Sequence, residues 1–103
     1  MDIKFFIYGV SEPDAKRKLV ESFNEFSDLE FTILDSEKYW KLENVYIFNV
    51  KSVLSKDNMD SFLNLYADNW IKIGNPVEEY IASDNDENTT YIREDFVMIQ
   101  VFA

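Results

Sequence analysis

DIKFFIYGV, residues 2–10, is the stretch on which the fold turns. Its pattern has a period of two: Ile3, Phe5 and Ile7 share one side, Phe6, Tyr8 and Val10 the other. Side chains alternate across a strand, so a strand that is apolar on both sides belongs inside a sheet rather than at its edge. One other stretch has the same property. VYIFNVKSVL, residues 45–54, sets Val45 and Ile47 on one side and Tyr46, Phe48 and Val50 on the other. Two interior strands are thus predicted, and the remaining elements must be arranged around them.

Between those strands, Ser11–Asp28 (SEPDAKRKLVESFNEFSD) predicts a helix. Ser11 is a cap, Asp14 stands three residues later, and Pro13 falls in the first turn, where its missing N–H is not needed. Ala15, Leu19, Phe23 and Phe26 recur at helical spacing, and Val20 widens the stripe. Leu29–Leu34 follows as a short strand with Glu30 and Thr32 wetted, which suits an edge. Asp35–Asn44 is a polar connection carrying Tyr39, Trp40 and Leu42, which either extends a hairpin or lies over the core. Ser55–Trp70 predicts a second helix, capped by Ser55 or Asp57, with Met59, Phe62, Leu63, Tyr66 and Trp70 on its apolar face. Ile71 and Ile73 alternate ahead of a turn at Gly74-Asn75-Pro76. Val77–Ala82 and Phe96–Phe102 predict two more strands, with Tyr91–Ile92 as the returning arm of a hairpin across Asp84–Asn88.

The order strand, helix, strand, strand, helix, strand predicts an α+β fold, ferredoxin-like or a related split β-α-β sandwich. Two helices cover one face of a mainly antiparallel sheet, and a C-terminal acidic hairpin is added. In that arrangement the first and third strands are central, as their double apolarity requires. The other face leaves Phe6, Tyr8, Tyr46 and Phe48, or the opposing set, in need of a cover. A loop, the added hairpin or a second copy would supply it, and the added hairpin or a homodimer is expected. The 103 residues suit a single domain, 1–103.

Composition removes many chemistries. There is no cysteine and no histidine, which excludes disulfides, thiol nucleophiles, zinc–thiolate sites and imidazole general bases. With two glycines, no phosphate-cradling loop is available, and no nucleotide-binding or hydrolase motif occurs. The expectation is a protein that is not an enzyme and carries no cofactor. The alternative of a small carboxylate-based enzyme directs attention to Asp35 with Glu37 and to Glu78 with Glu79; the latter neighbours point to opposite faces of a strand. A net charge of −10 argues against direct nucleic-acid binding and against anionic membranes. The basic cluster Lys16-Arg17-Lys18 lies among Glu12, Asp14, Glu21 and Glu25, which suits pairing along a helix. No signal peptide and no run of about 18 apolar residues is present, so a cytoplasmic protein is expected.

The acids are unevenly spread. Glu78, Glu79, Asp84, Asp86, Glu87, Glu94 and Asp95 crowd the last part of the chain, where Arg93 is the one base. With Trp40 as a separate aromatic anchor, these residues predict a contact surface for a protein partner with a basic surface. An inhibitor, an immunity protein or an accessory subunit fits that description, and a nucleic-acid mimic is a narrower version of it. A divalent-cation site is the other alternative. Asp84, Asp86 and Asn88 occupy positions one, three and five of a twelve-residue loop that ends at Asp95, the spacing calcium uses, although Thr89 stands where a calcium loop needs glycine.

Overall fold

The computed structural model describes residues 1–26 and 29–103. The elements are β1 (Asp2–Tyr8), α1 (Glu12–Phe23), β2 (Phe31–Lys38), β3 (Val45–Ser52), α2 (Lys56–Tyr66), β4 (Ile71–Ile73), β5 (Glu79–Ser83) and β6 (Phe96–Phe102). The strands form one sheet in the order β2-β3-β1-β6-β5-β4, antiparallel throughout. The two strands apolar on both sides, β1 and β3, are both interior.

Register decides which side chains share a face. Ile3 pairs with Val50, Phe5 with Phe48 and Ile7 with Tyr46. Phe5 lies 5.9 Å from the Phe23 ring of α1 and 5.4 Å from the Tyr66 ring of α2, so both helices cover this side. Phe23 stacks on Phe31 at 4.2 Å, and Phe62 meets Tyr66 at 5.1 Å. Each fully buried aromatic or aliphatic side chain contributes about 1.5–3 kcal/mol. Tyr66 is wholly buried, and its hydroxyl lies 2.8 Å from Ser22 Oγ, which donates to the Leu19 carbonyl at 2.6 Å. Burial pushes the Tyr66 phenol well above its ordinary range, so it stays protonated. Gly9 allows α1 to approach closely: a Cβ there would sit 2.8 Å from the Ala15 nitrogen.

Several boundaries differ from expectation. The α1 helix begins as predicted, with the Asp14 N–H donating to Ser11 Oγ at 3.3 Å, but it ends at Phe23. The Glu25 and Phe26 amides switch to carbonyls three residues back, which closes the last turn. The predicted continuation to Asp28 reaches Ser27 and Asp28, which lie outside the described residues. Val20 is exposed rather than part of the buried stripe. The β2 strand runs on to Lys38, through residues expected to be a connection, because a bulge between Ile33 and Asp35 keeps it paired with β3. The α2 helix stops at Tyr66; Ala67 is extended, and Trp70 folds back to donate its indole N–H to the Leu63 carbonyl at 3.1 Å. Tyr91–Ile92 is not a hairpin arm. Strand β5 pairs directly with β6, while Ile92 bridges to Ala67.

The side opposite the helices also departs from the expected grouping. Phe6 pairs with Ile47, whereas Tyr46 and Phe48 face the helices. Tyr39 covers Phe6, its ring edge-on at 5.1 Å, and joins Val45, Ile47, Val97 and Met98 in a second, smaller cluster. Beyond Tyr39 the face is open. One cross-strand row runs Asp35, Asn49, Lys4, Gln100, Ile81, Ile71. The next runs Thr32, Lys51, Asp2, Phe102, Glu79, Ile73. Among the described residues no helix is long and apolar enough to cross a membrane.

Candidate functional site

Three segments meet at the end of the sheet where β1 finishes. The Tyr8 amide donates to the Asp95 carbonyl at 2.8 Å, and the Gly9 amide to the Asn44 carbonyl at 2.8 Å. The Asp84 amide donates to the Val97 carbonyl at 3.0 Å. The end of β1, the β2–β3 tip and the connection from β5 to β6 therefore adjoin, although they are far apart in sequence.

The β2–β3 tip is fixed on one side only. Tyr39 packs on Phe6, and its N–H donates to the Val45 carbonyl at 2.8 Å. Asn44 takes a left-handed backbone, φ 59°, to turn the chain. The next side chain, Trp40, is 83% exposed, with Lys41 Nζ 5.2 Å from its ring centre. Leu42, Tyr8 and Val10 are exposed at the same end. Isolated exposed apolar residues are ordinary, but a tryptophan held in water beside a pinned tyrosine is the type of side chain that anchors interfaces.

The connection 84–95 is held from several sides. Asp68, just past α2, accepts the Thr90 and Tyr91 amides at 3.2 and 3.1 Å and also the Thr90 hydroxyl. The bond from the Thr90 hydroxyl, and then those from the amides, hold the Asp68 carboxyl below its ordinary range. The Arg93 amide donates to the Tyr66 carbonyl at 2.7 Å, and its guanidinium meets Glu25 at 2.9 Å. That contact raises Arg93 further. Lys18 Nζ lies 3.1 Å from Asp95 and donates to the Tyr8 carbonyl at 2.9 Å. Burial works against its charge, and Asp95 and Asp14 more than offset that, leaving its pKa raised.

The predicted contact residues fall in two places. Trp40, Asp84, Asp86, Glu87, Glu94 and Asp95 belong to segments that converge at the Tyr8 end. Glu78 and Glu79 lie at the other end of β5, beside Phe102 and Ala103, about 13 Å away along the strand. The cation-loop candidates are engaged locally: Asp86 Oδ1 accepts the Asn88 amide at 3.0 Å, the Asn88 carbonyl accepts from Asn69 at 3.2 Å, and Asp95 pairs with Lys18. Among the described residues, no group of three or more acidic side chains is placed to hold a metal ion. Asp35 meets Asn49 through a hydrogen bond at 2.5 Å on the open face.

No family model, curated protein or solved structure matches the chain. Its function must therefore be argued from these side chains. Sequence reasoning missed Asp68 and the long-range role of Lys18, which position residues 84–95, whereas Tyr39 lies over the core as one reading of its connection expected. Asp68 gives only a faint signal, an acid just beyond a helix. Lys18 was expected to pair along its helix, and it does meet Asp14 at 3.4 Å, but its contact with Asp95 is long-range.

Proposed function

We propose that this chain is a small acidic protein–protein interaction module with no catalytic role. Its contact surface is the Tyr8 end of the sheet. Trp40 is the anchor at the β2–β3 side of that end, and Asp84, Asp86, Glu87 and Glu94 form a charged flank on the β5–β6 side, with Asp95 held inward by Lys18. The partner presents a basic surface with a recess for the indole, as an enzyme restrained by an inhibitor or immunity protein would. The observation that carries this reading is the exposure of Trp40 next to a tyrosine packed on Phe6. An anchor costs less to order when its base is already fixed. A flank of like charge favours encounter with a basic partner and rejects acidic ones.

Neither Asp14 nor Asp68 is poised as an acid catalyst. Asp14 and Asp68 are both moved downward, by the Arg17 and Thr90 hydrogen bonds respectively, whereas an acid catalyst at neutral pH needs an upward shift. We also read β1-α1-β2-β3-α2-β6 as a ferredoxin-like unit into which β4 and β5 are inserted. The run β2-β3-β1-β6 within the sheet order supports that reading.

Quantitative capture from the source cell tests the proposal. Wild-type chain, Trp40→Ala and a D84N/D86N/E87Q/E94Q variant are compared at low and high salt. A partner retained by wild type should be lost by more than about tenfold with Trp40→Ala and weakened by salt and by neutralisation. A partner indifferent to both variants would place contact elsewhere.

A further inference from the structure

We propose that the open face of the sheet is a self-association surface, on which a second copy of this chain packs about a twofold axis parallel to the strands. The surface is separate from the Trp40 end and does not depend on the function assigned to it.

Charge is laid out on this face so that it complements itself across one twofold axis. Six strands put the centre of the sheet between β1 and β6. A twofold along the strands at that point sets β3 of one copy over β5 of the other, and β2 over β4, while each cross-strand row stays level with itself. Lys51 then faces Glu79 of the second copy, twice per dimer. Lys4 faces Gln100, Asp2 faces Phe102, and Asp35 faces Ile71. No like charges oppose one another. A twofold running across the strands at the level of the Lys4 row instead lays each strand on its own copy and brings Lys4 toward Lys4 and Asp35 toward Asp35. The axis along the strands is the one that pairs Lys51 with Glu79, and it keeps the strands of the two sheets within the roughly 30° of each other found in face-to-face packing.

The chain as a whole carries −10, so most contacts between two copies are repulsive. On this face Lys4 and Lys51 offset half of the acids Asp2, Asp35, Glu37 and Glu79, which lowers that repulsion. The face also holds apolar side chains with nothing over them: Ile71 and Ile73 are 48% and 46% exposed, and Leu34 is 57% exposed. The uncovered part measures about 24 Å across the strands and about 15 Å along them, since Tyr39 closes one end. That footprint is smaller than the roughly 800 Å² each partner buries in a standard interface. The association is accordingly weak and concentration-dependent.

Sedimentation equilibrium of the full chain, from about 1 µM to about 1 mM, reads the association. Wild type should move from the 12.2 kDa monomer toward twice that mass. Lys51→Glu and Glu79→Lys should each weaken dimerisation by about tenfold or more, and K51E/E79K should return it to within about threefold of wild type. One single swap makes the chain more acidic and the other less, so a pure net-charge effect would move them in opposite directions. Trp40→Ala should leave association unchanged, which separates this surface from the partner site. Thermal melts followed by circular dichroism confirm that each variant folds; should Lys51→Glu unfold because it sets a glutamate opposite Asp2, Glu79→Lys alone carries the test. A monomer throughout, a dimer indifferent to Glu79→Lys, or a folded double swap that fails to restore association would each overturn the proposal.

Discussion

The two connections at the Tyr8 end of the sheet are built in opposite ways. Residues 84–95 are tied down by Asp68, Lys18, Arg93 and the edge of α2. The β2–β3 tip has Tyr39 as its foot and leaves Trp40 in water. A loop with that many ties holds its carboxylates in fixed places. A tip with one foot holds a backbone in place while its indole stays free to enter a partner. The contrast teaches that charge pattern and anchor are positioned by different means, one by side-chain hydrogen bonds and ion pairs from distant segments, the other by the Tyr39–Phe6 contact and the backbone bonds at Tyr39 and Asn44.

The sharpest way to break the contrast is at Tyr66, which supports the heavily tied loop from beneath. Its ring fills the core between Phe5, Phe62 and Phe96, its hydroxyl meets Ser22, and its carbonyl accepts the Arg93 amide. Tyr66→Ala should cost about 3–5 kcal/mol in urea unfolding, as large aromatic truncations in a core do. A loss below about 1 kcal/mol would mean that the helix-covered face is not packed as described. Tyr39→Ala tests the other connection. Its ring is only half-buried, so about 1–2 kcal/mol is expected, with the tip losing its fixed position. Partner capture should fall even though Trp40 is still present.

What could be read in advance follows from which side chains are buried. Apolar alternation in Asp2–Tyr8 and Val45–Ser52 told of interior strands, because both sides of each are covered near their centres. The helices were visible from Ala15, Leu19, Phe62, Leu63 and Tyr66, all of them buried. The second half of β2 was open to two readings, a longer hairpin or a cover over the core, because Asp35, Ser36, Glu37 and Lys38 are exposed and backbone pairing alone makes them a strand. The path of residues 84–95 was hidden for a related reason. It is set by Asp68, Glu25 and Lys18, which are distant in sequence, and side-chain hydrogen bonds across such distances leave no periodicity. Grouping Phe6 with Phe48 failed because face assignment needs register, and register is fixed by pairing rather than by either strand alone.

Asp68 gives a pH-dependent test of the tied loop. Its carboxyl holds protons less readily in the folded chain than in the unfolded one. Its contribution is therefore present above the ordinary aspartate value of about 4 and fades as pH falls through the lower folded value. Protection factors of the Thr90 and Tyr91 amides, taken relative to the slower intrinsic exchange in acid, should fall on acidification before those of the core amides of β1. In Asp68→Asn that early acid step should flatten, with the two amides already less protected at neutral pH. Equal protection in both proteins across the acid range would remove Asp68 as the loop's tie.

The smallest expected change in stability is at Trp40, and it completes the contrast. An indole that is 83% exposed contributes little burial, so Trp40→Ala should alter unfolding by no more than about 0.5 kcal/mol. Fluorescence makes the point independently. The other tryptophan, Trp70, is half-buried and donates to Leu63 and Ala67. Removing Trp40 should delete the water-exposed, easily quenched part of the emission and leave the Trp70 signal intact. If the quenchable fraction survives in Trp40→Ala, or if the variant melts well below wild type, Trp40 is part of the fold. It would then not be held out for a partner, and the contact surface would have to rest on the carboxylates alone.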